Sequence, residues 1–161
     1  MSLRSMTAGA LALISVYAAW VSIQSIPKLR KYEEKAQKAA EWSRTAEKRL
    51  WDTRYTVGAG LITASVSTLG ALYHATSGAH QTATSLQLGL PVILASAAFY
   101  VSAYMRSFWD PKAKIPALSD YNEAISESKT VIAMLTWIGA GWTAIAGLKL
   151  GTMFSTEGSS P

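Results

Sequence analysis

The chain contains no cysteine. That excludes a disulfide scaffold, a thiolate metal site and a cysteine nucleophile. Charge is scarce as well: Asp, Glu, Lys and Arg make up 16% of the 161 residues, against about 25% in an average soluble domain. Histidine occurs only twice, at His74 and His80. There is no Gly-rich phosphate loop, no Gly-x-Ser-x-Gly elbow and no His-Glu-x-x-His pair. The nucleotide-binding, serine-hydrolase and zinc-protease classes marked by those motifs therefore have no foothold. Half of the residues are hydrophobic, too many for a disordered tail.

The informative feature is where charge is missing. Residues 5–27, 55–105 and 130–148 carry no charged side chain. A helix needs about 20 mostly apolar residues to cross a hydrocarbon core about 30 Å thick. The first stretch, of 23 residues, and the third, of 19, each suit one crossing. The second has 51 residues and suits two crossings, with a turn at 77–85 where no large apolar side chain occurs. A soluble Ala-rich bundle with a Ser/Thr surface is the alternative, but soluble helices draw their polar face mostly from charges. The expected fold is all-α: a polytopic membrane protein built as a four-transmembrane-helix bundle. It forms a single domain over 1–161, with spans near 7–26, 55–76, 86–106 and 130–151 and a short flexible tail over 153–161.

The charges that exist are segregated. Residues 28–54 hold nine bases and five acids, and residues 106–129 hold four of each. Four spans put both segments on one side, which then carries 13 of the 15 Lys and Arg residues. The positive-inside rule predicts that this side is cytosolic, with both termini and the 77–85 turn opposite. The bases Lys28, Arg30 and Lys31 follow the first apolar run, so a retained helix is expected in place of a cleaved signal peptide. An endomembrane or the plasma membrane is favoured over a mitochondrial one.

Both inner segments carry helical signals. Leu29, Tyr32, Ala36, Ala39, Ala46 and Leu50 follow 3–4 spacing, and Glu34 with Lys38 and Lys48 with Asp52 are i,i+4 pairs. Pro27 marks the exit of helix 1 from the membrane, and the helix is expected to run on past it toward helix 2, giving the bundle helical extensions on its inner face. Asp120 with Glu123 forms a capping-box pattern, so helix 4 is expected to begin near Tyr121. Its acidic first turns, through Glu127, predict salt bridges to the basic 28–54 segment. Trp51 and Tyr55, and on the third span Tyr104, Phe108 and Trp109, are expected at the lipid headgroups. Lys149 is expected to extend to the headgroups at the other end.

Helices in lipid associate through close backbone approach and interhelical hydrogen bonds. Gly58, Gly60, Gly139, Gly147 and Gly151 are the expected packing positions, the last two in a GxxxG spacing. Pro91 is placed in the first turn of helix 3, where its missing N–H costs little.

Chemistry is sparse. His74 and His80 are the only candidate general bases, and with so few ligands no metal or cofactor is expected. The run Trp51-Asp52-Thr53-Arg54-Tyr55-Thr56-Val57-Gly58 resembles the Trp-x-x-x-aromatic-x-x-Gly start of the second helix in the anthrone-oxygenase-like family of small four-span membrane proteins. That resemblance implies an oxygenase-like enzyme acting on a lipophilic substrate. It covers eight residues; the family's polar motif after helix 3 and its Arg-containing fourth helix are absent.

The leading functional expectation is a non-catalytic accessory or assembly subunit. Trp42, Arg44, Lys48, Trp51, Glu123 and Glu127 on the charged inner face would touch the partner. The expected partners are the lipid bilayer, other membrane subunits or a second copy, and anionic lipid headgroups. Nucleic acid is not expected, because the net charge of +5 is confined to one side of the membrane. The alternatives are the membrane enzyme and a small transporter or channel.

Overall fold

The computed structural model describes the backbone of residues 3–40, 44–76, 85–112 and 119–157, and the side chains of 6–31, 51–76, 88–112 and 122–151 together with Lys48 and Ser119. Among the described residues all regular structure is helical: α1 Leu3–Ala40, α2 Arg44–Thr76, α3 Ser85–Trp109 and α4 Ser119–Glu157. Each contains a stretch long and apolar enough to span a membrane: Met6–Lys31, Trp51–Thr76, Leu88–Trp109 and Asn122–Gly151. The shortest, at 22 residues, is about 33 Å long at 1.5 Å per residue and covers the hydrocarbon core. In lipid no water can take over a backbone N–H or C=O, so a spanning segment closes its own hydrogen bonds as a helix.

Two boundaries differ from those read in the sequence. The first helix runs on past Pro27, as expected, and continues to Ala40. Pro91 is not in the first turn of α3 but is its seventh residue, fully buried. Both prolines remove one helical donor, a loss that a membrane bundle tolerates because the alternative is a longer unpaired stretch. At the other end of the chain, α4 continues to Glu157, five residues into the stretch read as a tail.

The helices form a four-cornered bundle. Neighbours are α1 with α2, α1 with α4, α3 with α4 and, more loosely, α2 with α3; α2 also touches α4 across the diagonal. Gly141 of α4 faces Leu11 of α1 while Lys28 of α1 pairs with Glu127, so α1 and α4 are antiparallel. Gly60 of α2 faces Met105 and Gly70 faces Leu94, so α2 and α3 are antiparallel too.

The distribution of side chains is inverted relative to a soluble bundle. The outside carries Leu13, Ile62, Leu69, Ile93, Tyr100 and Trp137, each 65% or more exposed. An apolar surface of that extent would aggregate in water and is ordinary against lipid. The inside carries Ser15, Ser22, Ser25, Thr56, Ser67, Ser102 and Ser128, all buried. Their hydroxyls are largely satisfied: Ser22 donates to the Ala18 carbonyl, and Ser102 reaches across to the Ile132 carbonyl and the Thr136 hydroxyl. The soluble alternative, which needs its Ser and Thr outside, does not fit this arrangement.

Small residues set the spacing. Ala18, Ala64, Ala71, Ala98 and Ala124 are completely buried at the contacts. A Cβ at Gly70 would stand 2.8 Å from Leu94 Cδ1 and 3.2 Å from Trp142 Cζ2. Trp142 cannot retreat, because it is fully buried and its Nε1 donates to Ser67 Oγ at 2.8 Å. At Gly147 an added Cβ meets nothing within 4 Å. Gly70→Ala is therefore expected to lower stability by about 1–3 kcal/mol through overpacking. Gly147→Ala is expected to be neutral or to gain up to about 1 kcal/mol from helix propensity. Denaturant or thermal unfolding of the two variants in detergent distinguishes these effects, and equal loss in both would contradict the packing described.

Candidate functional site

The polar features collect at the charged end of the bundle. There α1 continues to Ala40, 13 residues beyond the end of its uncharged run at Pro27, and α2 begins at Arg44, 11 residues before its uncharged run opens at Tyr55. Thirteen helical residues extend about 20 Å, far enough to carry the helix well past the uncharged run. α4 begins at Ser119, close to the start expected from the capping-box pattern.

Lys28 links the α1 and α4 extensions. Its Nζ lies 2.7 Å from Glu123 Oε1 and also pairs with Glu127. The two glutamates are four residues apart and share one face of α4, so a single lysine reaches both. Glu127 is the more enclosed partner, with 15% of its side chain exposed against 58% for Glu123. Its second oxygen, Oε2, is buried without a hydrogen bond, as are Ser128 Oγ and Trp109 Nε1. The cluster expected between the acidic start of helix 4 and the basic segment thus forms through Lys28.

The other partner-contact candidates are placed as follows. Lys48 is exposed, and Trp51 is 62% exposed with the Arg54 guanidinium 5.9 Å from its ring centre. Arg44 opens α2, and its side chain lies outside the described residues, as does all of Trp42. Tyr55 is exposed and meets Tyr104 edge-on at 5.6 Å. Trp109 departs from the interfacial position expected for it: it is 1% exposed and packs edge-on against Phe108. It follows the buried register Ala98, Ser102 and Met105 of α3, a 3–4 repeat that carries its indole inward.

Sequence reasoning missed the central polar contact. Ser15 Oγ and Ser67 Oγ are 2.9 Å apart, and Trp142 Nε1 donates to the same Ser67 oxygen. One hydroxyl on α2 thus joins α1 and α4. Ser15 and Ser67 are two of many serines in the uncharged stretches, and nothing in their spacing announces that an indole on another helix ends there.

His74 lies two turns beyond Ser67 on α2. It is half-buried, with its ring 5.5 Å from that of Trp142 and 5.9 Å from that of Tyr73. Its Nε2 is buried without a hydrogen-bond partner. His80 lies outside the described residues. Among the described residues no group of three or more His, Asp or Glu side chains is placed to hold a metal ion. Of the packing glycines, Gly60 faces Met105 and Val131, and Gly139 faces the Phe99 ring. Gly58, Gly147 and Gly151 have no atom within 4 Å of an added Cβ and seat no helix of this chain.

No family model, curated protein or solved structure matches the chain. In the eight residues that resemble the anthrone-oxygenase-like family, Trp51 and Tyr55 face outward while Thr53 and Thr56 face the core.

Lys28→Met leaves two neighbouring carboxylates without their counter-charge, one of them largely enclosed. The expected cost is about 1–3 kcal/mol, mostly from the unpaired buried group. Adding Glu123→Gln and Glu127→Gln to Lys28→Met should recover much of that loss, since no charge is then left unpaired. Unfolding measurements on the single and triple variants test this; a triple variant less stable than Lys28→Met would refute it.

Proposed function

We propose that this protein is a non-catalytic accessory or assembly subunit of a membrane complex, and that its charged end is the surface its partner contacts. The observation that carries this reading is the α1–α2 hairpin, whose helices run well past the uncharged stretches 5–27 and 55–105 at the charged end of the bundle. A chain that needed only to span the membrane would turn at the headgroups. The Lys28 pair supports the same role, because it ties α4 to the base of the hairpin and fixes the presented surface. Exposed Trp51 offers an aromatic anchor, a residue type enriched among those that dominate contact energies, with the exposed charge of Lys48 three residues before it.

The enzyme alternative rests on His74. A general base must come within hydrogen-bond reach of the proton it takes. The enclosure of His74 Nε2 by protein therefore favours the subunit reading. Full-length protein extracted in mild detergent from its own membranes is expected to migrate as an assembly heavier than the chain with its micelle. The variant Arg44→Glu/Lys48→Glu/Trp51→Ala is expected to run as the single chain with its helical content intact. A native protein that already runs alone would overturn the proposal.

The reading also places the charged end in the cytosol, on the strength of the Lys/Arg asymmetry. Because the chain lacks cysteine, single Lys48→Cys and Ser2→Cys variants report sidedness without background. A membrane-impermeant maleimide added to sealed cells or vesicles of known orientation should label residue 48 only from the cytosolic face and residue 2 only from the opposite one. The reverse pattern would invert the orientation.

A further inference from the structure

Exposed bases stand around the bundle at one level, at least one on each helix: Arg30 and Lys31 on α1, Arg54 on α2, Arg106 on α3 and Lys129 on α4. The level follows from contacts between the helices. Lys28 pairs with Glu127, Ser102 with Thr136 and the Ile132 carbonyl, and Tyr55 with Tyr104. In that register the five bases fall within about two helical turns of one another, roughly 10 Å. All lie within four residues of where the uncharged runs 5–27, 55–105 and 130–148 begin or end at the charged side. Exposed Trp51 and Tyr55 belong to the same level.

Among the described side chains, the nearby acids are fewer than the bases and are partly engaged elsewhere. Glu123 and Glu127 are drawn to Lys28, and Asp52 is half-buried. Asp110 is exposed but is accompanied by Lys112, whose ammonium lies 4.2 Å from the Phe108 ring centre. Among the described side chains, the perimeter at this level therefore carries more positive than negative charge.

We infer that this ring is a binding surface for anionic lipids, which it enriches in the annulus around the charged end. The occupant is a phospholipid whose headgroup has net negative charge, its phosphate held by the guanidinium forks of Arg30, Arg54 and Arg106 and by the ammonium groups of Lys31 and Lys129. Guanidinium suits this because its parallel N–H groups match two phosphate oxygens. The split between helices matters: no single helix carries the whole ring, so only the assembled bundle presents positive charge to lipids on every side. The inference is independent of whether a protein partner docks on the hairpin above it.

The test is the relative association constant of spin-labelled phosphatidylglycerol over spin-labelled phosphatidylcholine, measured by electron spin resonance on the full chain in phosphatidylcholine vesicles. One base close to a headgroup corresponds to about fivefold enrichment, so a ratio of about 3 or more is expected in low salt. It should fall towards 1 as salt rises to 0.5 M and the Debye length shrinks to about 4 Å. The variant Arg30→Gln/Lys31→Gln/Arg54→Gln/Arg106→Gln/Lys129→Gln should bring the ratio to about 1, while Arg54→Lys/Arg106→Lys should keep most of it. If the fivefold variant does not insert, the salt titration on the unaltered protein decides. A ratio of 1 at low salt overturns the inference, and so does a preference that survives both high salt and the five substitutions.

Discussion

An indole inside a lipid-embedded bundle has one N–H that no solvent will accept, and in this protein that N–H governs how three helices meet. Trp142 of α4 is fully buried and donates to Ser67 of α2, whose oxygen also lies 2.9 Å from Ser15 of α1. Moving any of the three helices by even a fraction of a turn would strand a polar group in a dry interior. The rest of the core conforms to that point. Gly70 is bare because the indole occupies the space its Cβ would take, and Leu94 of α3 closes against the same glycine. The loosest neighbouring seam, between α2 and α3, has no equivalent polar anchor among its described contacts.

The interior is thus held by small hydroxyls and close alanines, and the exterior is given to large apolar side chains. This division has a physical cause. Lipid is as apolar as leucine, so burying leucine between helices gains little, while close backbone approach and a satisfied hydroxyl gain something. Ser22 and Thr56 close onto carbonyls of their own helices, whereas Ser102 reaches across to α4. The two kinds of bond do different work: the first hides a polar group, the second sets a register.

At the charged end the surroundings change from lipid to headgroups and water, and the chemistry changes with them. Lys28 stands near the limit of the first span and answers two glutamates of α4. Beyond it the helices can carry dense charge because water solvates it. The bases that remain exposed at the boundary come from all four helices. A protein partner on the hairpin and anionic lipid around its base would act on neighbouring levels of the same end, one through the α1–α2 extension and the other through the perimeter.

Much of the architecture was legible in the chain. The three uncharged stretches determined the number of spans and their approximate limits, because crossing hydrocarbon forbids frequent charge whatever the packing. The acidic residues at 123 and 127 and the bases after residue 27 also announced an ion pair, since both had to emerge at the same end. Other features could not be read that way. Nothing local distinguishes Trp109, which turns inward, from Trp51, which stays outside; rotation of each helix about its own axis makes that choice, and it depends on all the neighbours together. Gly70 and Gly147 are alike in sequence terms, yet one seats a tryptophan and the other faces open space. Pro91, which looks like the start of a helix along the chain, lies inside α3, where backbone polar groups in lipid must be paired. Composition and spacing alone determined that four helices cross the membrane and which end carries charge. Only the tertiary structure decided which small residues touch, which hydroxyls bridge and which bases form the rim, because those depend on helix rotation and register, which no single segment encodes.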